Sequence, residues 1–348
     1  MHAGDAPARP WWRPARLPRL QEGGLLAVVL LLGVLLSIYG YSDALPGRPN
    51  TFLNPANLVD GIATPMSYYA IMAIGMTVVI VSGGIDISVG SIMALSGMAT
   101  CHYLNKWTPD GSAFVVLPLA MGLSVGVGTL CGLVNGALVA ALKMHPFIVT
   151  LGTLSIYRGL ATAPFERKTL QAPDSLREVF QIELFEMRFL PLVFMVVVVA
   201  LGFVYLRLLA WGRETYAVGG NEEAARFSGI STRSVQLRVY AISGALAGLA
   251  GFVSLGKSGT MSSSSALGYE LVVIAAAVVG GASLAGGRGT AIGALLGTLV
   301  IALIENGISI VRLNQEWKLA IVGLSIIVAV ALDRLGGQWR AWRLRASR

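Results

Sequence analysis

Apolar runs of about twenty residues recur along almost the whole chain, and no other feature limits the fold so severely. An α-helix rises about 1.5 Å per residue, so about 20 apolar residues are what one crossing of a bilayer's hydrocarbon core requires. Reading with that length gives ten candidate spans, at roughly 24–41, 64–82, 87–104, 114–142, 146–163, 189–209, 236–256, 267–283, 289–308 and 317–333. The chain is 55% hydrophobic and only 13% charged, against about 25% charged in soluble domains. Lipid offers no partner to backbone amides, so spans of this length must be helices that satisfy their own hydrogen bonds. The expected fold class is an all-α polytopic membrane protein with about ten transmembrane helices, some short or broken. The expected domain organisation is a basic tail at 1–23, one membrane domain at 24–333 and a second basic tail at 334–348.

Lys and Arg favour the cytoplasmic side of a membrane and so orient the spans. With ten crossings, sixteen of the 26 basic residues fall on segments of one side, nine fall on the other, and Arg158 lies within a span. Both termini are therefore expected inside, in a multi-pass membrane protein. The arginines before the first span resemble the start of a signal peptide, but no small-residue cleavage site follows, so that run is read as a retained helix. The external loop 164–188 carries four basic residues among five acids. The net charge of +8 sits at the chain ends and in one loop rather than on a folded basic face, which argues against a nucleic-acid partner and leaves membrane lipid as the surroundings. Cys101 and Cys131 lie inside apolar runs and carry no disulfide signal.

The stretch "VSGGIDISVGS", 81–91, places an acid, Asp86, between two apolar runs with no basic residue nearby. Gly83 and Gly84 interrupt the helix, because glycine disfavours a helix interior by about 1 kcal/mol relative to alanine. Asp86 then precedes a restarting helix, where its carboxylate is expected to cap the free amides of the first turn. A break inside a membrane is tolerated where it is buried in protein or lines a water-filled cavity, so Asp86 and the nearby Ser88 are also candidates for a translocation pathway. Two spans carry small residues at four-residue spacing: Gly128, Gly132 and Gly136 in the fourth, and Gly289, Gly293 and Gly297 in the ninth. Such stripes let helix backbones approach closely. The inner loop at 210–235 contains "NEEAARFSG", which reads as a short helix with Glu222 and Glu223 at its start and Gly229 at its end. By itself that helix is either a solvated surface helix or a docking helix for a partner.

Four ordered stretches carry a family resemblance: "AIGMTVVIVSGGIDISVGSIMALSG" (73–97), "GLVNGALVAALKMHPFIVTLGTLSIYRGLA" (132–161), "YAVGGNEEAARFSGISTRSV" (216–235) and "ELVVIAAAVVGGASLAGGRGTAIGALLG" (270–297). The chain resembles the permease subunits of bacterial ATP-binding-cassette sugar importers of the ribose type, over residues from about 52 to 333. The resemblance implies the permease fold of those importers and an ATPase-coupling segment at Asn221, Glu222, Glu223, Ala224, Ala225 and Gly229. It also implies two cytoplasmic ATP-binding subunits, an external sugar-binding protein and a second permease subunit, either a copy or a paralogue. One position departs from the family pattern: Val272 stands where an acid is expected, which leaves the identity of the sugar open.

The chain's own inventory agrees with a conduit driven from outside itself. The one string with G-x-x-x-x-G-K-[ST] spacing, "GFVSLGKS" at 251–258, begins inside an expected span and lacks the preceding strand that a phosphate loop needs, so ATP is expected on partner subunits and no cofactor on this chain. The three histidines, His2, His102 and His145, have no metal or triad spacing, so no metal site and no catalytic residue are expected. For the pathway, Glu270 at the start of the eighth span and Glu305 and Asn306 at the end of the ninth are suspects because polar groups in spans are costly. Asn135 and Ser88 either donate to substrate hydroxyls or hold helices together. A neutral monosaccharide or polyol fits so sparse an ionisable content. The alternative function is a self-contained proton-coupled secondary transporter using Asp86, Glu270 or Glu305; against it, proton relays use chains of titratable groups that these spans lack.

Overall fold

In the computed structural model, residues 19–42, 50–108, 110–165, 168–183 and 188–314 are described, with isolated positions beyond 314. Twelve helices are assigned among them: α1 (Arg19–Ser42), α2 (Thr64–Val81), α3 (Val89–Trp107), α4 (Ala113–Leu142), α5 (Pro146–Thr162), α6 (Asp174–Phe180), α7 (Leu190–Arg207), α8 (Ala210–Gly220), α9 (Glu222–Phe227), α10 (Thr232–Ser258), α11 (Tyr269–Val279) and α12 (Ala291–Ile310). A π-helical turn, Asn57–Ala63, runs straight into α2, so that crossing is 25 residues long. Among the described residues, six helical stretches are long and apolar enough to cross a bilayer alone: Glu22–Ser42, Asn57–Val81, α4, α7, α10 and α12. The polytopic all-α class is thus borne out. The tenth expected span, 317–333, falls mostly outside the described residues, as do the two terminal tails apart from the first residues of α1.

The centre of the bundle is α2, sixteen of whose eighteen residues are buried. α10 crosses α4 along the expected small-residue stripe, and the sterics explain the glycines. A β-carbon on Gly128 would stand 2.2 Å from the Gly244 carbonyl oxygen, and one on Gly132 would stand 2.2 Å from the Tyr240 carbonyl oxygen. Real carbon atoms do not approach that closely, so any side chain here forces the helices apart. α10 supplies its own small residues in return: Gly248 approaches the carbonyl of Ser124, whose hydroxyl donates to the Gly248 carbonyl at 2.7 Å. In the second stripe, Gly293 and Gly297 pack against Gly280 and the Ala276 carbonyl of α11. Gly289 does not belong to that stripe; it precedes α12 at φ 155°, an extended-turn geometry open to glycine.

The eighth expected span, 267–283, is corrected by the structure. Only Tyr269–Val279 is helical, eleven residues, or about 16 Å at the helical rise. That is half a bilayer. Left-handed backbone at Gly259 (φ 68°), Ala266 (φ 57°) and Gly268 (φ 82°) stops the helix on one side, and Gly280 with Gly281 (φ 94°) stops it on the other. The remaining distance is covered by turns. A two-residue strand, β2 (Thr260–Met261), pairs antiparallel with β1 (Leu170–Gln171), tying this turn region to the segment before α6. α6 itself folds onto the bundle: Phe180 meets Phe252 of α10 and Phe194 of α7 with ring centroids 5.4 and 6.4 Å away. Residues 168–183 therefore form a fitted cap over this end of α10, not a slack connection.

Candidate functional site

Two places concentrate chemistry, one inside the bundle and one at its end. The inner one is built on the break between α2 and α3. After Val81 the chain turns through Gly83 (φ 87°) and reaches Asp86, which is fully buried along with Ser88 and Asn135. Asp86 Oδ1 accepts from the Ser88 amide at 3.0 Å, from Ser88 Oγ at 2.6 Å and from Asn135 Nδ2 at 3.5 Å, and Oδ2 accepts from Ser243 Oγ of α10 at 3.0 Å. Asn135 Nδ2 also donates to Ser88 Oγ at 2.8 Å, and its Oδ1 accepts from Tyr157 of α5 at 3.1 Å. Tyr240 and Thr150 donate to the Ile85 carbonyl, each at 3.3 Å.

The expected cap is present only in part. Ser88 occupies the N-cap position of α3 and makes no side-chain cap bond. Asp86 bonds the Ser88 amide one residue before the helix, an Asx-type turn, and spends its other oxygen on α10. The carboxylate is thus a clasp on α3, α4 and α10, with α5 joined through Tyr157. Every donor is a neutral hydroxyl or amide, so the buried acid is satisfied without a cation, as a buried polar group must be.

The other candidate pathway residues lie apart from this cluster. Glu270, in the first turn of α11, sits against the first turn of α3: a β-carbon on Gly90 would stand 2.5 Å from its Oε2 and 2.7 Å from the Ala266 carbonyl. Glu270 Oε2 is buried and has no hydrogen-bond partner among the described residues. The nearby cation is Arg158 of α5, whose guanidinium interacts with Glu270 electrostatically while Nη1 donates to the carbonyls of Ser263 and Ser265 at 2.6 and 2.8 Å. Arg158 was visible in the sequence as an arginine within a span, and that was its signal. Asn306 pairs with Asn57 through two reciprocal amide bonds of 2.7 and 3.2 Å, joining α12 to the π-turn, and Glu305 lies near Tyr69. Val272, the departure from the family pattern, is buried in α11 at 1% exposure, where an acid would need partners that valine does not.

The second place is α8 with α9. Asn221 Oδ1 accepts from the Ala224 amide at 2.9 Å and caps α9, Glu222 and Glu223 fill its first turn, and Gly229 ends it at φ 82°. The Ala225 carbonyl accepts from Ile230, so the turn closes on itself. Ala225 is buried against the bundle, while Glu222, Glu223, Ala224 and Phe227 are exposed, Phe227 by 78%. Such a helix presents acids and one large apolar ring to whatever lies beyond. α8 is an unexpected helix within the loop. Burial pushes the Tyr216 hydroxyl of α8 up to about 12, and it donates to the Gly289 carbonyl at 2.6 Å. Among the described residues no group of three or more His, Cys, Asp or Glu is placed to hold a metal ion.

Interrupted helices at the centre of a membrane bundle are the architecture in which transport proteins build their pathways, and the class of this chain, a transport permease, is given by its relatives. The family model described as the permease component of branched-chain amino acid transport systems matches residues 58–330, and the chain belongs to that family. Similar curated proteins include the fructose import permease of Rhizobium meliloti, 32% identical, with 88% of this chain and 85% of the relative aligned. The ribose import permease of Bacillus subtilis is 33% identical over 82% and 86% of the two chains, and the galactose/methyl galactoside import permease of Escherichia coli 33% over 92% and 96%.

Proposed function

We propose that this chain is the transmembrane permease subunit of an ATP-binding-cassette importer and forms the translocation pathway for a monosaccharide or a related polyol. The sequence relatives named for fructose, ribose and galactose import support the sugar class. The observation that carries the mechanism is the capped helix α9, whose exposed acids and Phe227 stand free at one end of the bundle. In this reading α9 faces the cytoplasm of a bacterial cell, both termini are inside, and residues Asn221, Glu222, Glu223, Ala224, Ala225 and Gly229 engage an ATP-binding subunit. The ATP is bound by that partner, and this chain contributes no cofactor and no catalysis of its own. An external sugar-binding protein delivers substrate at the far end, and a second permease subunit completes the pathway.

Closure of the ATPases does not push substrate directly. It shifts the population between inward-open and outward-open states, which requires only that the partner favour one of them. Asp86, Ser88 and Asn135 hold the frame of the pathway, and Glu270, Glu305 and Asn306 border it. The test is reconstitution into vesicles, first of the chain alone under a proton gradient and then with ATPase subunit, binding protein and ATP. Uptake should appear only in the second case, and monosaccharides but not branched-chain amino acids should compete for it. Uptake by the isolated chain would move the protein to the proton-coupled class; competition by leucine alone would replace the sugar reading.

A further inference from the structure

We infer that Gly219, in the last turn of α8, is the positioning residue through which movement of α9 reaches the break that follows α2. The inference rests on the reading of α9 as the ATPase contact. Three backbone segments meet at Gly219 with no side chain between them. A β-carbon on Gly219 would stand 1.7 Å from the Val81 carbonyl oxygen and 2.9 Å from the Gly287 amide nitrogen. The Gly287 amide donates to that same Val81 carbonyl at 2.9 Å. From the other side, Gly286, at φ 81°, approaches the Gly219 carbonyl so closely that its own β-carbon would be 2.4 Å away. The end of α2, the end of α8 and the loop between α11 and α12 are therefore in direct backbone contact.

α8 is fixed along its length as well as at its tip. Near its start, Gly212 packs on the Tyr205 carbonyl, where a β-carbon would lie 2.1 Å away. Glu214 takes Arg238 of α10 at 2.7 Å, Thr215 meets Tyr205 of α7 at 3.1 Å, and Tyr216 holds the Gly289 carbonyl. Only Asn221 separates α8 from α9. A displacement of α9 thus has a short, rigid route to Val81, and Val81 begins the turn that carries Asp86 into the bundle. Close-packed backbone shifts between discrete arrangements instead of yielding gradually, so this contact transmits a push where a flexible side chain would absorb it. Gly219 and Gly220 are neighbours in sequence but not alike in space: a β-carbon on Gly220 meets nothing within 4 Å.

The experiment compares Gly219→Ala, Gly220→Ala and Tyr216→Phe in the complete complex in vesicles, reading complex yield, ATP hydrolysis and uptake per ATP hydrolysed. Gly219→Ala should hydrolyse ATP while uptake per ATP falls roughly ten- to thirtyfold, the upper range that contact-borne coupling between distant sites reaches. Gly220→Ala should match the unaltered protein. Tyr216→Phe adds no volume and should lower uptake per ATP severalfold at unchanged yield, which decides the matter should Gly219→Ala fail to assemble. An unchanged ratio in Gly219→Ala or, where that variant does not assemble, in Tyr216→Phe overturns the inference, as does a fall of hydrolysis and uptake in proportion. Absence of ATP-driven uptake in the unaltered complex is a different result: it removes the importer reading, and this inference with it.

Discussion

Asp86 offers the sharpest quantitative test, because its four hydrogen bonds come from three separate elements. Asp86→Ala leaves the Ser88 amide and the Ser88, Asn135 and Ser243 side chains facing a cavity; removing one member of a buried charged network typically costs about 3–5 kcal/mol. Asp86→Asn is smaller. Its oxygen can keep the Ser88 and Asn135 side, and its NH2 faces Ser243, whose hydroxyl can turn from donor to acceptor. The loss is then of charge assistance, about 1–2 kcal/mol. Ser243→Ala removes one interhelical bond, which in membranes averages about 0.6 kcal/mol and reaches about 1.7. The expected order of destabilisation is Asp86→Ala, then Asp86→Asn, then Ser243→Ala. Reversible unfolding in mixed micelles gives each value, and the double variant Asp86→Asn with Ser243→Ala should be non-additive by at least about 0.5 kcal/mol. Asp86→Asn should lower complex yield and leave the preference among sugars unchanged. Strict additivity, or a changed sugar preference at full yield, would refute the clasp.

The remaining perturbations act elsewhere in the bundle. Gly132→Val places atoms against the Tyr240 carbonyl and should destabilise the α4–α10 crossing by about 1–3 kcal/mol, seen as a lower melting temperature in detergent; Gly126→Ala, with open space around it, should leave that temperature unaltered. Arg158→Met releases the carbonyls of Ser263 and Ser265 and should make a cysteine placed at Ser265 react faster with a water-soluble maleimide, because hydrogen bonds to charged groups hold about 1.5–3 kcal/mol; equal labelling rates would deny the arginine that role. Glu223→Lys reverses an exposed charge on α9 and should abolish uptake while the purified subunit keeps its melting temperature; unchanged uptake would remove Glu223 from the ATPase contact.

Most of the helices could be read from the sequence because their signal is length and apolarity, which act locally. α4, α5 and α12 lie within a few residues of the expected spans. The failures are non-local. Residues 267–283 are as apolar as a full span, yet the helix is halved by positive φ at Ala266, Gly268 and Gly281, and those angles come from how the turns are held, in part by Arg158. α8 fails in the opposite direction: "AWGRETYAVGG" carries three glycines and mixed polarity and reads as loop, but its first and second glycines are where Tyr205, Val81 and the 280–290 loop approach its backbone. Here glycine reflects contact, not flexibility.

The same limit explains the inner site. Asp86 stood out as an acid among apolar runs, and the local part of its expectation, a bond to an amide just downstream, is present. Its partner Ser243 lies 157 residues away and has nothing in its own neighbourhood to mark it. The three backbone interruptions, at 82–88, 259–268 and 280–290, also looked independent in the sequence. In space the first touches both of the others: Gly90, just after it, receives Ala266 of the second and Glu270 of α11, and Val81, just before it, receives Gly287 from the third and Gly219 from α8. Broken backbone survives at membrane depth only when protein surrounds it, so each interruption has to be shielded by others or by close-packed helices. That requirement sets the interruptions against one another, and contacting non-helical segments are also where a bundle can change shape without unfolding a helix. The physical constraint that permits the breaks therefore places them where alternating access would need them.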